Sequence, residues 1–176
     1  MSSNVYEAME MKQPFEEVVA DHSATVLRVC RFVVGLNDAD DAWSETFLSA
    51  LRAYPALPKD ANIQAWLVTI AHRKSIDIIR SNEHQATPVD QVPDQHSAIG
   101  IPGSGDPDLW EAVGALPDKQ RQAVAYHYLG GLPYKTVAEI LGGTTEAARK
   151  AGSDGIKALR SALAAMHEKA TGGESK

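Results

Sequence analysis

The segment Gly131-Leu132-Pro133-Tyr134-Lys135-Thr136-Val137-Ala138-Glu139-Ile140-Leu141-Gly142-Gly143-Thr144 runs straight into Thr145-Glu146-Ala147-Ala148-Arg149-Lys150. Its spacing predicts a short helix over Tyr134–Leu141 and a longer one from about Thr145 to Met166. Between them, Gly142-Gly143-Thr144 is a glycine turn that ends in a residue suited to capping the next helix. Helix, short glycine turn, longer helix is the helix-turn-helix pattern. The same connection joins helices in many all-helical proteins, so the rest of the chain must be weighed with it.

Working toward the N-terminus, two more helices are expected over Leu109–Leu116 and Asp118–Leu129. The stretch 81–108 is different: it holds Pro88, Pro93, Pro102 and Pro107 with Gly100, Gly103 and Gly105, and shows no apolar period. A structureless loop of that length is unusual inside a compact domain, so it reads as a flexible linker. Before it, Phe15, Val18, Val19, His22, Val26, Val29, Cys30 and Val33 form one stripe ending at Gly35. Asp38 or Asp40 can cap a second helix carrying Ala42, Trp43, Thr46, Phe47, Ala50, Leu51 and Tyr54, stopped by Pro55. Ile63, Trp66, Leu67, Ile70, Ala71, Ile78 and Ile79 make a third. No alternating run suggests a strand. The expected fold is all-α: two small helical domains, 1–80 and 109–176, joined by the linker 81–108.

Charge follows the same division. The chain of 176 residues carries a net −6, with 17 basic and 23 acidic side chains. Residues 1–80 are −3, residues 81–108 are −5 with no basic residue, and residues 109–176 are +2. The total argues against nucleic acid, but most of it resides in the linker. At 44% hydrophobic and 23% charged, the composition is that of a globular protein. No apolar run approaches the roughly 18–20 residues that span a bilayer, and Met1–Gln13 lacks the features of a signal peptide. A cytoplasmic protein without membrane insertion is expected. One cysteine, Cys30, rules out an internal disulfide and a Cys-rich zinc site.

Catalytic chemistry leaves no pattern. There is no phosphate-binding glycine loop, no His-Glu-x-x-His and no Gly-x-Ser-x-Gly. The six histidines share no i, i+3 or i, i+4 pairing. Asp38, Asp40, Asp41 and Glu45 could be imagined around a metal, but their place at a helix start favours capping and dipole stabilisation. Trp43, Phe47 and Trp66 lie on apolar stripes and belong to the core. Neither an enzyme nor a bound cofactor or metal is expected.

Four ordered stretches resemble the extracytoplasmic-function (ECF) sigma factors, two-domain members of the sigma-70 family. Asp38-Ala39-Asp40-Asp41-Ala42-Trp43-Ser44-Glu45-Thr46-Phe47-Leu48-Ser49-Ala50 is similar to the acidic stretch of their first domain, with Ser44 where glutamine is common. Ala65-Trp66-Leu67-Val68-Thr69-Ile70-Ala71-His72-Arg73-Lys74-Ser75-Ile76-Asp77-Ile78-Ile79-Arg80 resembles the next. Leu116-Pro117-Asp118-Lys119-Gln120-Arg121 and Gly131–Gly142 resemble two stretches of the second domain. The likeness spans roughly residues 15–80 and 109–163.

The resemblance implies an alternative sigma factor that binds RNA polymerase core and directs promoter-specific initiation. It implies core contacts at Asp38, Asp41 and Glu45. Recognition and melting of the −10 element would fall to Lys59, Asn62, Thr69, His72, Arg73 and Arg80, and −35 contacts to Thr144, Thr145, Arg149, Lys150, Ser153 and Lys157. Promoter DNA and core polymerase are the implied partners, with an anti-sigma factor as a further one. The acidic linker would suit a basic channel in polymerase, although a plain soluble tether explains it equally. The chain departs from the family where Ala151, Asp154 and Ile156 replace common basic residues, and Gly152 and Gly155 each cost a helix interior about 1 kcal/mol relative to alanine. Isolated DNA binding is therefore expected to be weak. A second reading stays open: a sigma-like interaction protein that binds polymerase or a regulator with little or no promoter reading.

Overall fold

In the computed structural model, residues 12–85 and 105–172 are described, and every regular element among them is helical. The expected span 81–108 overlaps helices at both ends, and its middle, 86–104, lies outside the described residues. Helix α1 covers Phe15–Val34, α2 covers Ala39–Ala53 and leads into a 3₁₀ turn over Tyr54–Ala56, and α3 covers Ile63–Gln85. After the undescribed stretch come α4 (Pro107–Gly114), α5 (Asp118–Val124), α6 (Tyr134–Leu141) and α7 (Thr145–Gly172).

Local chemistry sets most boundaries. Gly35 stops α1 at φ 85°. Asn62 Oδ1 accepts from the Ala65 amide at 3.0 Å and starts α3, while Asp106 accepts from the Asp108 amide and starts α4 with Pro107 in the first turn. Asp38 behaves differently from its expected capping role. It stands at the start of α2 but makes no side-chain cap, and its carboxylate instead accepts from Asn82 Nδ2 at 3.0 Å, tying α2 to the end of α3.

The expected single helix over Asp118–Leu129 changes character partway. Ala125–Leu129 winds as a π-helical turn, closed by Gly130 N–H to Ala125 C=O at 2.8 Å. Such a turn inserts one extra residue and re-aims the side chains that follow. Here it accompanies Tyr126, which is fully buried.

The turn between α6 and α7 follows the expected pattern. Gly142 takes φ 74°, a left-handed conformation that suits glycine, and both its amide and that of Gly143 bond the Ala138 carbonyl. Thr144 Oγ1 then accepts from the Ala147 amide at 3.1 Å and caps α7.

Two hydrophobic clusters organise the molecule. One joins α1, α2 and α3 through Val18, Val26, Cys30, Phe47, Leu67 and Ile70. The other holds Ala123, Val124, Tyr126, Val137, Ala148 and Leu159 from the C-terminal helices and also takes in Val29, Phe32 and Val33 of α1 and Val68 of α3. Helices α1 and α3 therefore bury two sides, one within the first bundle and one against the C-terminal helices.

Candidate functional site

The acidic positions on α2 separate by geometry. Asp41 and Glu45 are exposed four residues apart, whereas Asp38 is half-buried and committed to Asn82. The exposed surface continues into Leu48 and Leu51, which stay 48% and 52% exposed although both are large and apolar. Asp41, Glu45 and Leu48 share a helix face by their spacing. The apolar stripe of this helix takes in Leu51 but not Leu48. The amphipathic period marks them as apolar but not as unpartnered.

The loop after α2 closes one side of a pocket of about 330 Å³ lined by Lys12, Gln13, Tyr54, Leu57, Pro58, Lys59 and Ile63. Lys12 Nζ donates to the Tyr54 and Leu57 carbonyls and lies 4.2 Å from the Tyr54 ring centroid. Tyr54 Oη donates back to the Gln13 carbonyl at 2.5 Å. A cation at carbonyls ending a helix is favourably placed against the helix dipole. Lys59 was expected here from the resemblance. Lys12 and Gln13 were not, because they are joined to Tyr54 across more than forty residues by contacts that no local pattern encodes.

The other −10 candidates on α3 divide between two faces. Arg73 and Arg80 are exposed. Thr69 returns its hydroxyl to the Ala65 carbonyl of its own helix at 2.8 Å. His72 turns toward the second domain: Nδ1 lies 2.6 Å from Tyr126 Oη, and the two rings meet edge to face at 5.5 Å. Burial, with help from the Arg73 charge, holds the His72 pKa below its ordinary value. Burial also raises the Tyr126 hydroxyl and pushes the nearby Cys30 thiol up to about 12, so both remain protonated. One helical turn before Thr69, Gln64 Nε2 donates to the Gly130 carbonyl, a second bond between the domains. Asn62 caps α3, as described above.

On α7, Arg149, Lys150 and Lys157 are exposed, and Thr145 and Ser153 are half-buried. Thr144 spends its hydroxyl on the cap. Lys150 is paired with Asp154 at 2.7 Å, and that bond holds the exposed carboxyl of Asp154 below the usual range. Asp154, where the resemblance leads one to expect a basic residue, thus engages Lys150 one turn before it.

Gly152 and Gly155 of α7 have a packing reason. A Cβ at Gly155 would stand 2.6 Å from Val124 Cγ2 and 3.2 Å from the Gln120 carbonyl, and one at Gly152 would stand 2.7 Å from Tyr134 Oη. Both let α7 lie close on α5 and α6. The expected helix-propensity cost is thus set against close packing.

Arg121, from the Leu-Pro-x-x-x-Arg stretch, bonds the Leu116 carbonyl and Asp118, so it ties the start of α5 to the preceding turn. Among the described residues no group of three or more His, Cys, Asp or Glu side chains could hold a metal. No helix among them is long and apolar enough to cross a membrane.

Comparison with known proteins follows this division. The family model for Sigma-70 region 2 matches residues 18–85, and that for Sigma-70, region 4 matches residues 107–168. The ECF RNA polymerase sigma factor SigK of Mycobacterium tuberculosis (strain ATCC 25618 / H37Rv) is 31% identical over 107 residues, covering 56% of this chain and 57% of its own. The protein of the same name from Mycobacterium sp. (strain JLS) is 32% identical over 114 residues, covering 60% and 59%. The matches thus span less than two thirds of these relatives' length. Among solved structures, CnrH in complex with the cytosolic domain of CnrY is similar with a TM-score of 0.61 at 20% identity, covering 91% of this chain and 94% of that one. The sigma factor RpoE of Bartonella quintana, solved with the anti-sigma factor NepR, gives 0.63 at 19% identity, covering 84% and 97%. At these identities the two structures speak for the fold alone. With region 2 on the first three helices and region 4 on the last four, in that order, the chain belongs to the sigma-70 family as a factor of the ECF type.

Proposed function

We propose that this chain is an alternative sigma factor that binds RNA polymerase core and directs promoter-specific initiation in the cytoplasm, without catalysis of its own. The observation that carries this reading is the presence, in order on one chain, of region 2 and a helix-turn-helix region 4.

Asp41 and Glu45, continued by Leu48 and Leu51, present an acidic and apolar strip suited to a basic, partly apolar helix pair on polymerase. Asp38 shapes that strip through Asn82. The pocket at the α2–α3 junction is lined by the apolar and aromatic Tyr54, Leu57, Pro58 and Ile63 together with Lys12 and Lys59, a chemistry that accepts a flipped base and its phosphates. Unstacking that base costs a few kcal/mol, offset by the pocket and by Arg73 and Arg80 along the strand. His72, bonded to Tyr126, reaches DNA only if the two domains move apart, and Thr69 only by giving up its bond to the Ala65 carbonyl.

Arg149, Lys150 and Lys157 are the charged contacts of region 4 with the −35 duplex, Ser153 and Thr145 lie beside them, and Thr144 holds the helix start. Because CnrH and RpoE were solved with CnrY and the anti-sigma factor NepR, an anti-sigma protein is the natural regulator to seek here as well.

Run-off transcription with purified core polymerase on a library of upstream regions tests the reading. Promoter-specific transcripts are expected. Core binding with no specific transcript on any template would overturn it in favour of a sigma-like interaction protein, the outcome that the Lys150–Asp154 pair would then explain.

A further inference from the structure

The start of α7 meets an aromatic group built by α6 and the π turn. His127 stacks on Tyr134 with centroids 3.7 Å apart and planes 15° from parallel, and His127 Nδ1 is held 2.7 Å from the Leu132 carbonyl. Tyr128, which is 52% exposed, lies edge to face on His127 at 4.8 Å. Burial and a hydrogen bond with Tyr128 push the Tyr134 phenol up to about 12, so it stays neutral. The Arg149 guanidinium lies over this ring, 5.7 Å from its centroid, within cation–π range. Gly152, one turn further along α7, leaves the room that the Tyr134 hydroxyl occupies.

We infer that Tyr134, braced by His127, is a positioning residue that pre-orders Arg149 for contact with duplex DNA. The inference rests on the −35 reading of α7.

The physical reason lies in what a flexible cation loses on binding. An arginine side chain surrenders most of its rotamer freedom when it grips a phosphate or base edge, and a group already ordered surrenders less. A planar guanidinium also stacks on an aromatic face in a way an ammonium does not. Arg149 is the cation for which this matters most. Lys150 is engaged by Asp154, whereas Arg149 has no ion pair among the described residues. A helix with so few basic residues depends heavily on the one it holds in place.

A double-mutant cycle on the full chain tests this, with a short random-sequence duplex as the probe and binding read by fluorescence anisotropy over a range of low salt concentrations. Arg149→Ala and Tyr134→Leu should each weaken binding about 2- to 5-fold, the range set by an exposed cation–π contact. Each should reduce the salt slope by about 1. The double variant should bind no worse than the weaker single one. Tyr134→Phe, which keeps the ring, should bind within about 2-fold of wild type, a rescue that a mere loss of polarity would not give. In the wild-type chain, the Arg149 side-chain protons should show an upfield ring-current shift by NMR, a reading that needs no variant at position 134.

Effects of the two single changes that multiply in the double variant would overturn the inference while leaving Arg149 as a DNA contact. So would an unshifted Arg149 resonance. If Arg149→Ala leaves duplex binding and its salt slope unchanged, the −35 reading of this helix fails, and the inference with it.

Discussion

His72 shows how one side chain serves packing in this structure at a position the family resemblance assigns to DNA. Its ring is half-buried against Tyr126, with Cys30 near the tyrosine and Arg73 beside it on the same helix. Burial and Arg73 both disfavour the imidazolium, so the native state takes up a proton at lower pH than the unfolded chain. Below the unfolded value of 6.5 the unfolded state binds more protons, and stability falls with pH until the native imidazole also titrates. Thermal unfolding of wild type and His72→Phe at pH 7.5 and pH 5.5 checks the sign. The wild-type melting temperature should drop between the two by more than that of the variant. Gly155 offers a second test at this scale. Helix propensity alone has Gly155→Ala stabilising by about 1 kcal/mol. The contact of the new Cβ with Val124 and the Gln120 carbonyl points the other way, to a loss of about 1–3 kcal/mol through overpacking. Urea unfolding followed by circular dichroism decides between them.

The helices inherit these local choices. On α7, Asp154 both withholds a cation and occupies Lys150, so Asp154→Ala should raise affinity for duplex DNA and steepen its salt dependence by about 1 in slope. Electrophoretic mobility shifts at two salt concentrations measure this. A flat response would mean that Lys150 does not face DNA. On α2 the exposed acids share their surface with Leu48 and Leu51, which links charge to apolar area on a single face. Under the proposed function, Asp41→Arg should weaken core polymerase binding by about tenfold, as expected for a reversed charge at an interface, and Arg149→Ala should leave it nearly unchanged. Equal losses in a pull-down titration would reverse the assignment of roles between the two regions. Helix identity was readable in the sequence because stripes, prolines and Gly35 or Gly142 are local signals. The π turn at Ala125–Leu129, which accompanies the burial of Tyr126, was not, since the stretch Asp118–Leu129 reads as one continuous helix.

At the scale of the molecule, the shared cluster of Val29, Phe32, Val33 and Val68 with the C-terminal helices makes the two regions one packing unit in this conformation. Trp43 and Trp66 report on the first bundle and Trp110 on the second. Unfolding followed at single 5-fluorotryptophan sites should give coincident midpoints in wild type. Tyr126→Ala, which removes the fully buried side chain between them, should cost about 3–5 kcal/mol and separate the midpoints. By itself the sequence determined the all-helical class, the helix-turn-helix and the ordered stretches that mark the family, because helix period, turn residues and caps act over a few neighbouring positions. It also located the net negative charge between the two regions rather than on the helix expected to read DNA. The tertiary structure alone decided that His72 meets Tyr126, that Lys12 bonds the end of α2, that Gly152 and Gly155 seat α7, and that Tyr134 lies under Arg149. Each of these is a short-range contact between residues brought together by packing, and its partner is set by how the helices stack rather than by local spacing.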